Sequence, residues 1–208
     1  MFLGLLMLSQ LCAHACVPDT IIPHKGYANA WRMLEGRWAK KVVMKMAYAT
    51  KQNFMKKKIY PCAKCYLRPE AMTALQRAID TAAKRGYKLV IYDCYRPRKY
   101  QYIMYKIVKN EDYVANPKRG SMHNRGLAVD IGLADSNGVV LDCGSAFDDF
   151  STKAHFWYSD CSAAAQKNKA ALRSIMQSCG FSPYDKEWWH FSYKAVSYEV
   201  DEFIWPCQ

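Results

Sequence analysis

The sequence predicts a single α+β domain, with helices packed on a sheet. Two helices have clear starts and stops, over Pro69–Arg85 and Ser162–Ser178. Between them, Leu127–Leu133 alternates as a half-buried strand and runs into a tight Asp135-Ser136-Asn137-Gly138 hairpin turn. No internal repeat or low-complexity linker divides the 208 residues, a length that buries a sizeable core in one unit.

Taken in order, residues 17–25 hold two prolines and predict an extended lead-in. Ala28–Lys40 predicts a short helix weakened by Gly36, and Val42–Thr50 a strand. Lys51–Lys64 is a basic loop containing Pro61. In the helix over Pro69–Arg85, Pro69 suits the first turn, and Ala71, Leu75, Ala78, Ile79 and Ala82 form one face. Gly86 stands where a C-terminal cap belongs. Tyr87–Tyr92 predicts a strand that ends in Asp93-Cys94-Tyr95-Arg96-Pro97. Tyr100–Lys109 predicts a helix with Ile103, Met104, Ile107 and Val108 inward, and Glu111–Gly120 a polar loop. After the hairpin turn, Val139–Leu141 predicts a return strand and Phe147–Phe150 a loop. Ser162 caps the next helix, with Leu172, Ile175, Met176 and Cys179 inward and Gly180 at its stop. Glu187–Tyr193 predicts an aromatic-rich strand.

A hydrophobic content of 51% excludes a disordered chain. The net charge of +12 is scattered rather than blocked, with Lys56-Lys57-Lys58 the nearest to a run, and no nucleic-acid motif accompanies it. The charge predicts a solvated face with some attraction to polyanions such as a cell wall, and no nucleic-acid partner. The first fifteen residues carry no Lys, Arg, Asp or Glu, and Ala13-His14-Ala15 has the small-x-small form of a signal-peptidase site. The stretch is too short for a transmembrane segment. Residues 1–15 therefore predict a signal peptide, with residues 16–208 the mature domain in the periplasm or secreted. A lipid-anchored Cys16 is the alternative. Nine cysteines less Cys12, removed with the signal, leave eight, an even set that implies disulfides in an exported chain. The pairing is not deducible from spacing. Cys62-Ala63-Lys64-Cys65 is alternatively half of a zinc knuckle or a redox pair.

The chemistry concentrates around Ser121–Asp130. Leu127, Val129, Ile131 and Leu133 share one face of the strand, leaving Asp130 on the other between Ala128 and Gly132. A carboxylate there requires a cation: a metal, or an Arg or Lys. His123, Asp130 and His190 together supply two nitrogens and one carboxylate oxygen, a three-ligand set suited to catalytic zinc, one ion per chain, with the fourth position open to water. Glu187, three residues before His190, is a candidate general base, or a surface carboxylate. Arg96 is a candidate oxyanion holder, or a structural partner of Asp93.

At these residues the chain resembles the D-alanyl-D-alanine dipeptidases of the VanX type, in the wider zinc peptidase group that includes D,D-carboxypeptidases and the hedgehog signalling domain. The matching pieces are Tyr48-Ala49-Thr50 with Asn53-Phe54, Tyr95-Arg96-Pro97, Ser121-x-His123-x-Arg125-Gly126-x-Ala128-x-Asp130, Gly144-Ser145-x-Phe147-Asp148, Leu172-Arg173-Ser174-Ile175-Met176 and Glu187-Trp188-Trp189-His190. They occur in the family's order over roughly residues 42–206. The resemblance implies a central, mainly antiparallel sheet packed by helices, and zinc-dependent hydrolysis of the D-Ala-D-Ala dipeptide. It implies His123, Asp130 and His190 as zinc ligands, Glu187 as the base and Arg96 as the stabiliser of the transition state. Ser121 and Asp148 match positions that contact the dipeptide, with Asp148 facing its ammonium group; Asp149 is the neighbouring alternative.

Two departures stand out. Cys94 occupies a position where the family usually has Gly, and the loop Asn116–Gly120 is longer than usual, which predicts an altered substrate mouth. The lead expectation is a dipeptidase. A D,D-carboxypeptidase or endopeptidase acting on peptidoglycan peptides shares the metal set but needs an open cleft. A basic wall-binding or signalling module without catalysis is the third possibility, against which the intact Glu187 and Arg96 stand.

Overall fold

The computed structural model describes residues 31–205 and 207, together with the backbone of residues 20–21. The expected signal peptide, Cys16 and most of the lead-in lie outside the described residues. Within the lead-in, β1 (Thr20–Ile21) is extended and pairs in parallel with β9 (Val196–Ser197).

The centre is a five-stranded sheet of β3 (Val42–Met44), β5 (Tyr87–Asp93), β6 (Ala128–Asp135), β8 (Glu187–Tyr193) and β7 (Phe181–Tyr184), in that spatial order. β3 runs parallel to β5, and the other pairings are antiparallel, as the mainly antiparallel expectation requires. A small ladder of β2 (Arg32–Met33) with β4 (Tyr66–Leu67) lies apart from it. Helices α2 (Pro69–Lys84) and α4 (Ala163–Ser178) contact each other and the sheet, burying the faces that the sequence pattern selects. The Ser162 side chain accepts from the Ala165 amide, and Gly180 takes φ +95° at the stop.

Several expectations fail for identifiable reasons. Ala28–Lys40 holds only β2 and the four-residue helix α1 (Gly36–Ala39), with Gly36 in the left-handed region at φ +61°. The strand over 42–50 stops at Met44. Ala47–Ala49 turns into a single 3-10 turn fastened by Asn53, whose amide donates to the Ala47, Thr50 and Lys57 carbonyls. Helix α3 (Arg98–Ile107) forms, but buries Tyr100, Gln101 and Met104, whereas Ile103 and Ile107 are 40% and 49% exposed. Its inward face is set by Gln101, which accepts from Arg96 and donates to the Ala115 carbonyl. The hairpin turn forms, but its return contributes one bridge, Ala134 with Val140, rather than a strand. Strand β7, with Pro183 inside it, was not anticipated.

The cysteines pair as Cys62–Cys207 and Cys65–Cys94. Cys62 and Cys65 therefore serve different bonds, which removes the zinc-knuckle and redox-pair alternatives. Cys143, Cys161 and Cys179 remain thiols, so the expected full pairing is not reached.

Candidate active site

Three neighbouring strands bring one row of polar residues together. Asp93 on β5 is in register with Asp130 on β6, and Asp130 with His190 on β8. The Asp93 position depends on an irregularity. Ile91 pairs with Ile131, whose side chain belongs to the apolar face, and regular pairing would set Asp93 opposite Val129 on that same face. A bulge between Ile91 and Asp93 shifts the register by one and turns the carboxylate to the Asp130 side. β8 shows a related device. Glu187 and His190 are three residues apart and would face opposite ways on a regular strand. A register shift at Pro183/Tyr184 interrupts the pairing beside Glu187, and both side chains line one pocket.

His123 comes from the 3-10 turn His123–Arg125, closed by Gly126 at φ +72°. A Cβ on Gly126 would fall 2.3 Å from the Trp31 ring, so the turn requires glycine for its conformation and for its packing. His123 Nε2 lies 3.2 Å from Asp130 Oδ1 and 3.1 Å from His190 Nδ1. His190 Nδ1 is 3.1 Å from the same carboxylate oxygen. The Cys94 carbonyl can only accept, so His123 Nδ1 carries a proton and donates to it at 2.7 Å. Its Nε2 then faces two further electron-rich atoms, Asp130 Oδ1 and His190 Nδ1. His190 Nε2 is in hydrogen-bond contact with Ser192 Oγ at 3.0 Å. Among the described residues this is the His/Cys/Asp/Glu group that converges on one point. Two imidazole nitrogens and one carboxylate oxygen, oriented by partners on their far sides, fit a zinc ion in donor type and in outer support.

Arg96 is the structural partner of Asp93. Its Nε and Nη2 donate to Asp93 Oδ2 at 3.0 and 2.8 Å and its Nη1 to Gln101 Oε1 at 2.9 Å, while Nη2 is 3.8 Å from Asp130 Oδ2. Burial disfavours its charge, but Asp93 outweighs this and keeps the guanidinium protonated well above its ordinary range. The same residue lines the pocket.

Glu187 is buried at 8% exposure, with Oε2 3.8 Å from His190 Nδ1, so it is not the surface carboxylate of the alternative. Burial, then the nearby Asp130 charge, push its carboxyl well above the usual range. Asp130 is held below that range: burial works against its charge, and the two imidazoles outweigh burial.

Asp148 lines the pocket from φ +64°, a left-handed conformation rare outside glycine. Tyr48 Oη donates to its Oδ1 at 3.0 Å and the Phe54 amide to its Oδ2 at 3.3 Å. Burial raises its carboxyl to about 7 despite these donors. Asp149, the alternative, accepts from the Ser151 amide and caps the loop instead. Gly132 does not open space for a metal. Tyr92 fills that space, with ring atoms 2.7 Å from where a Cβ would stand, and Tyr92 stacks on Phe147 beside Asp148. Ser121 lines the pocket too, with its hydroxyl donating to Asn124 Oδ1 at 3.1 Å.

The pocket is about 270 Å³, at the small end of the roughly 300–1,000 Å³ common for small-molecule sites. Its outer wall is Glu111–Ala115, not the Asn116–Gly120 segment expected to shape the mouth. Lys186 pairs with Asp112 at 2.7 Å, and Tyr113 stacks on Phe150, holding this wall over the site.

Sequence reasoning offered Asp93 as a partner of Arg96 but missed the other supports. Asp93 accepts from Tyr60 and Arg96, and Asn124 donates to the Arg96 carbonyl at 2.7 Å. Tyr48 stood within a family-matching piece, which was the available signal. Tyr60 and Asn124 carried none.

The peptidase M15 family model, described as D-Ala-D-Ala dipeptidase, matches residues 38–204. A D-alanyl-D-alanine dipeptidase of Escherichia coli K12 is 38% identical over 163 residues, covering 77% of this chain and 84% of the relative. One from Enterococcus faecium is 29% identical over 180 residues, covering 76% and 89%. Among solved structures, VanYB in complex with D-Alanine-D-Alanine aligns over 62% of this chain and 72% of its own, with 22% identity and a TM-score of 0.42. The family match makes the chain a peptidase. The chain belongs to the D-Ala-D-Ala dipeptidase family of M15 peptidases.

Proposed function

We propose that this protein is a zinc-dependent D-Ala-D-Ala dipeptidase, in which His123, Asp130 and His190 hold the ion. The observation that carries the reading is the pairing, in one small pocket, of that converging donor set with a separate buried carboxylate, Asp148. When bound, zinc supplies Lewis-acid activation of the attacking water and of the scissile carbonyl.

The protein's own residues do the rest. Glu187 is the general base: its raised affinity for a proton suits it to take one from the water and pass it to the leaving amine. Arg96, kept cationic and aimed by Asp93 and Gln101, stabilises the negative charge that develops on the carbonyl oxygen. Asp148, with Ser121 nearby, holds the free ammonium group of the dipeptide by a charge-assisted hydrogen bond. The small pocket, about 270 Å³ and lined by Glu111–Ala115, suits a dipeptide, which favours the dipeptidase over a carboxypeptidase or endopeptidase. The apolar, charge-free N-terminus and the two disulfides support an exported, periplasmic or secreted enzyme. The basic surface supports association with an anionic wall.

The test is amine release from a panel of small D,D-peptides with and without chelator. Chelator-sensitive cleavage of D-Ala-D-Ala is the expected result. Activity that survives metal removal, or no activity across the panel, overturns the reading.

A further inference from the structure

Cys143 and Cys161 bracket the loop that carries Asp148 and Phe150 to the pocket, and both are thiols. The two ends of this loop meet. Gly144, next to Cys143, has φ +93°, and a Cβ built there would lie 3.2 Å from Cys161 Sγ and 3.3 Å from Cys161 Cβ. The Cys161 side chain thus packs into space that any other residue at 144 would fill. Lys169 Nζ lies 3.7 Å from the same point and donates to the Tyr158 carbonyl at 2.7 Å, closing the loop's far end onto α4. Cys179 lies elsewhere, against Thr81 Oγ1 at 3.7 Å.

We propose that Cys143 and Cys161 are a disulfide site, and that the bond fastens the Asp148 loop in its binding position. The oxidant is a disulfide compound. Cys161 is half-buried and Cys143 fully buried, with burial pushing the Cys143 thiol up to about 12. Cys161, the more accessible, therefore starts the exchange, losing its proton as it attacks to form a mixed disulfide and release one thiol. Cys143 then loses its proton, attacks Cys161 Sγ and releases the second thiol. The two cysteines give up two electrons and two protons, and the oxidant gains them as two thiols. Tyr48 and the Phe54 amide already grip the Asp148 carboxylate; the bond adds an anchor at the base of the same loop.

The experiment incubates the full chain with oxidised glutathione, alkylates remaining thiols in denaturant and maps an unreduced digest by mass spectrometry. A Cys143–Cys161 linked peptide is expected beside Cys62–Cys207 and Cys65–Cys94. Its absence while the other two bonds form overturns the proposal. The second arm rests on the dipeptidase reading and compares the oxidised protein with the Cys143→Ser/Cys161→Ser variant. That variant is expected to raise KM for D-Ala-D-Ala about tenfold with kcat little changed, the effect of loosening one charge-assisted hydrogen bond. An unchanged KM overturns the bracing role. The linked peptide is read without turnover, so a failure of the dipeptidase reading leaves that arm intact and distinguishable.

Discussion

Asp148 carries the most residue-scale information. Its left-handed backbone is a local cost, and burial holds its carboxyl at about 7. The charged form binds an ammonium group, so protonation abolishes the attraction. KM for the dipeptide is expected to rise as pH falls through about 7, the raised value, by up to about tenfold per unit. It rises again above about 8, where an α-amine loses its proton. Steady-state kinetics across this range check the sign, and Asp148→Asn removes the acid limb along with most of the affinity. Glu187→Ala is expected to lower turnover by about 10²–10⁴-fold, the contribution of a general base, with metal content unchanged by elemental analysis. Near-normal turnover in that variant removes Glu187 from the role. The residues legible in the sequence were those whose chemistry is unusual in itself: an Asp on a small-residue face, scarce histidines, and a Glu beside one of them. Asp93 was legible as a partner of Arg96, but Asn124 and Gln101 were not legible as supports, because their value lies in contacts with Arg96 and Ala115 that only the folded chain creates.

At the scale of elements, periodicity marked α2 and α4, where burial is one-sided or capping is strong, and marked β6 and β8 although the strands are buried on both faces rather than half-buried. It failed at α3, whose inward face is chosen by polar bonds from Gln101 rather than by Ile103 and Ile107. It also failed after Met44, where the Asn53 amide bonds fold the chain into a turn. The bulge in β5 and the shift beside Glu187 were invisible to any two-residue alternation, yet they aim the two carboxylates. The Cys65–Cys94 bond ties β4 to the end of β5, where the Cys94 carbonyl orients His123. Replacing both with Ala is expected to cost roughly 3–4 kcal/mol on the chain-entropy account for a separation of 29 residues, read as a lower Tm and denaturant midpoint. Zinc affinity, measured by competition with a chromogenic chelator, is expected to weaken as well. Unchanged affinity would separate the bond from the site.

The whole molecule is a sheet with two dissimilar faces. One is anchored by α2 and α4 in the core, and the other carries Asp130 and His190 to the pocket, with Asp93 buried beside them. The pocket walls include Glu111–Ala115 and the Asp148 loop, segments distant in sequence that no local pattern connects. The account's central claim is that this pocket admits a small peptide and selects it by its free amine through Asp148. The most direct measurement compares kcat/KM for D-Ala-D-Ala with that for N-acetyl-D-Ala-D-Ala, which lacks the ammonium group and is larger. Loss of at least about tenfold on acetylation, the worth of one charge-assisted hydrogen bond, is the predicted result. Equal or faster cleavage of the acetylated peptide would contradict it.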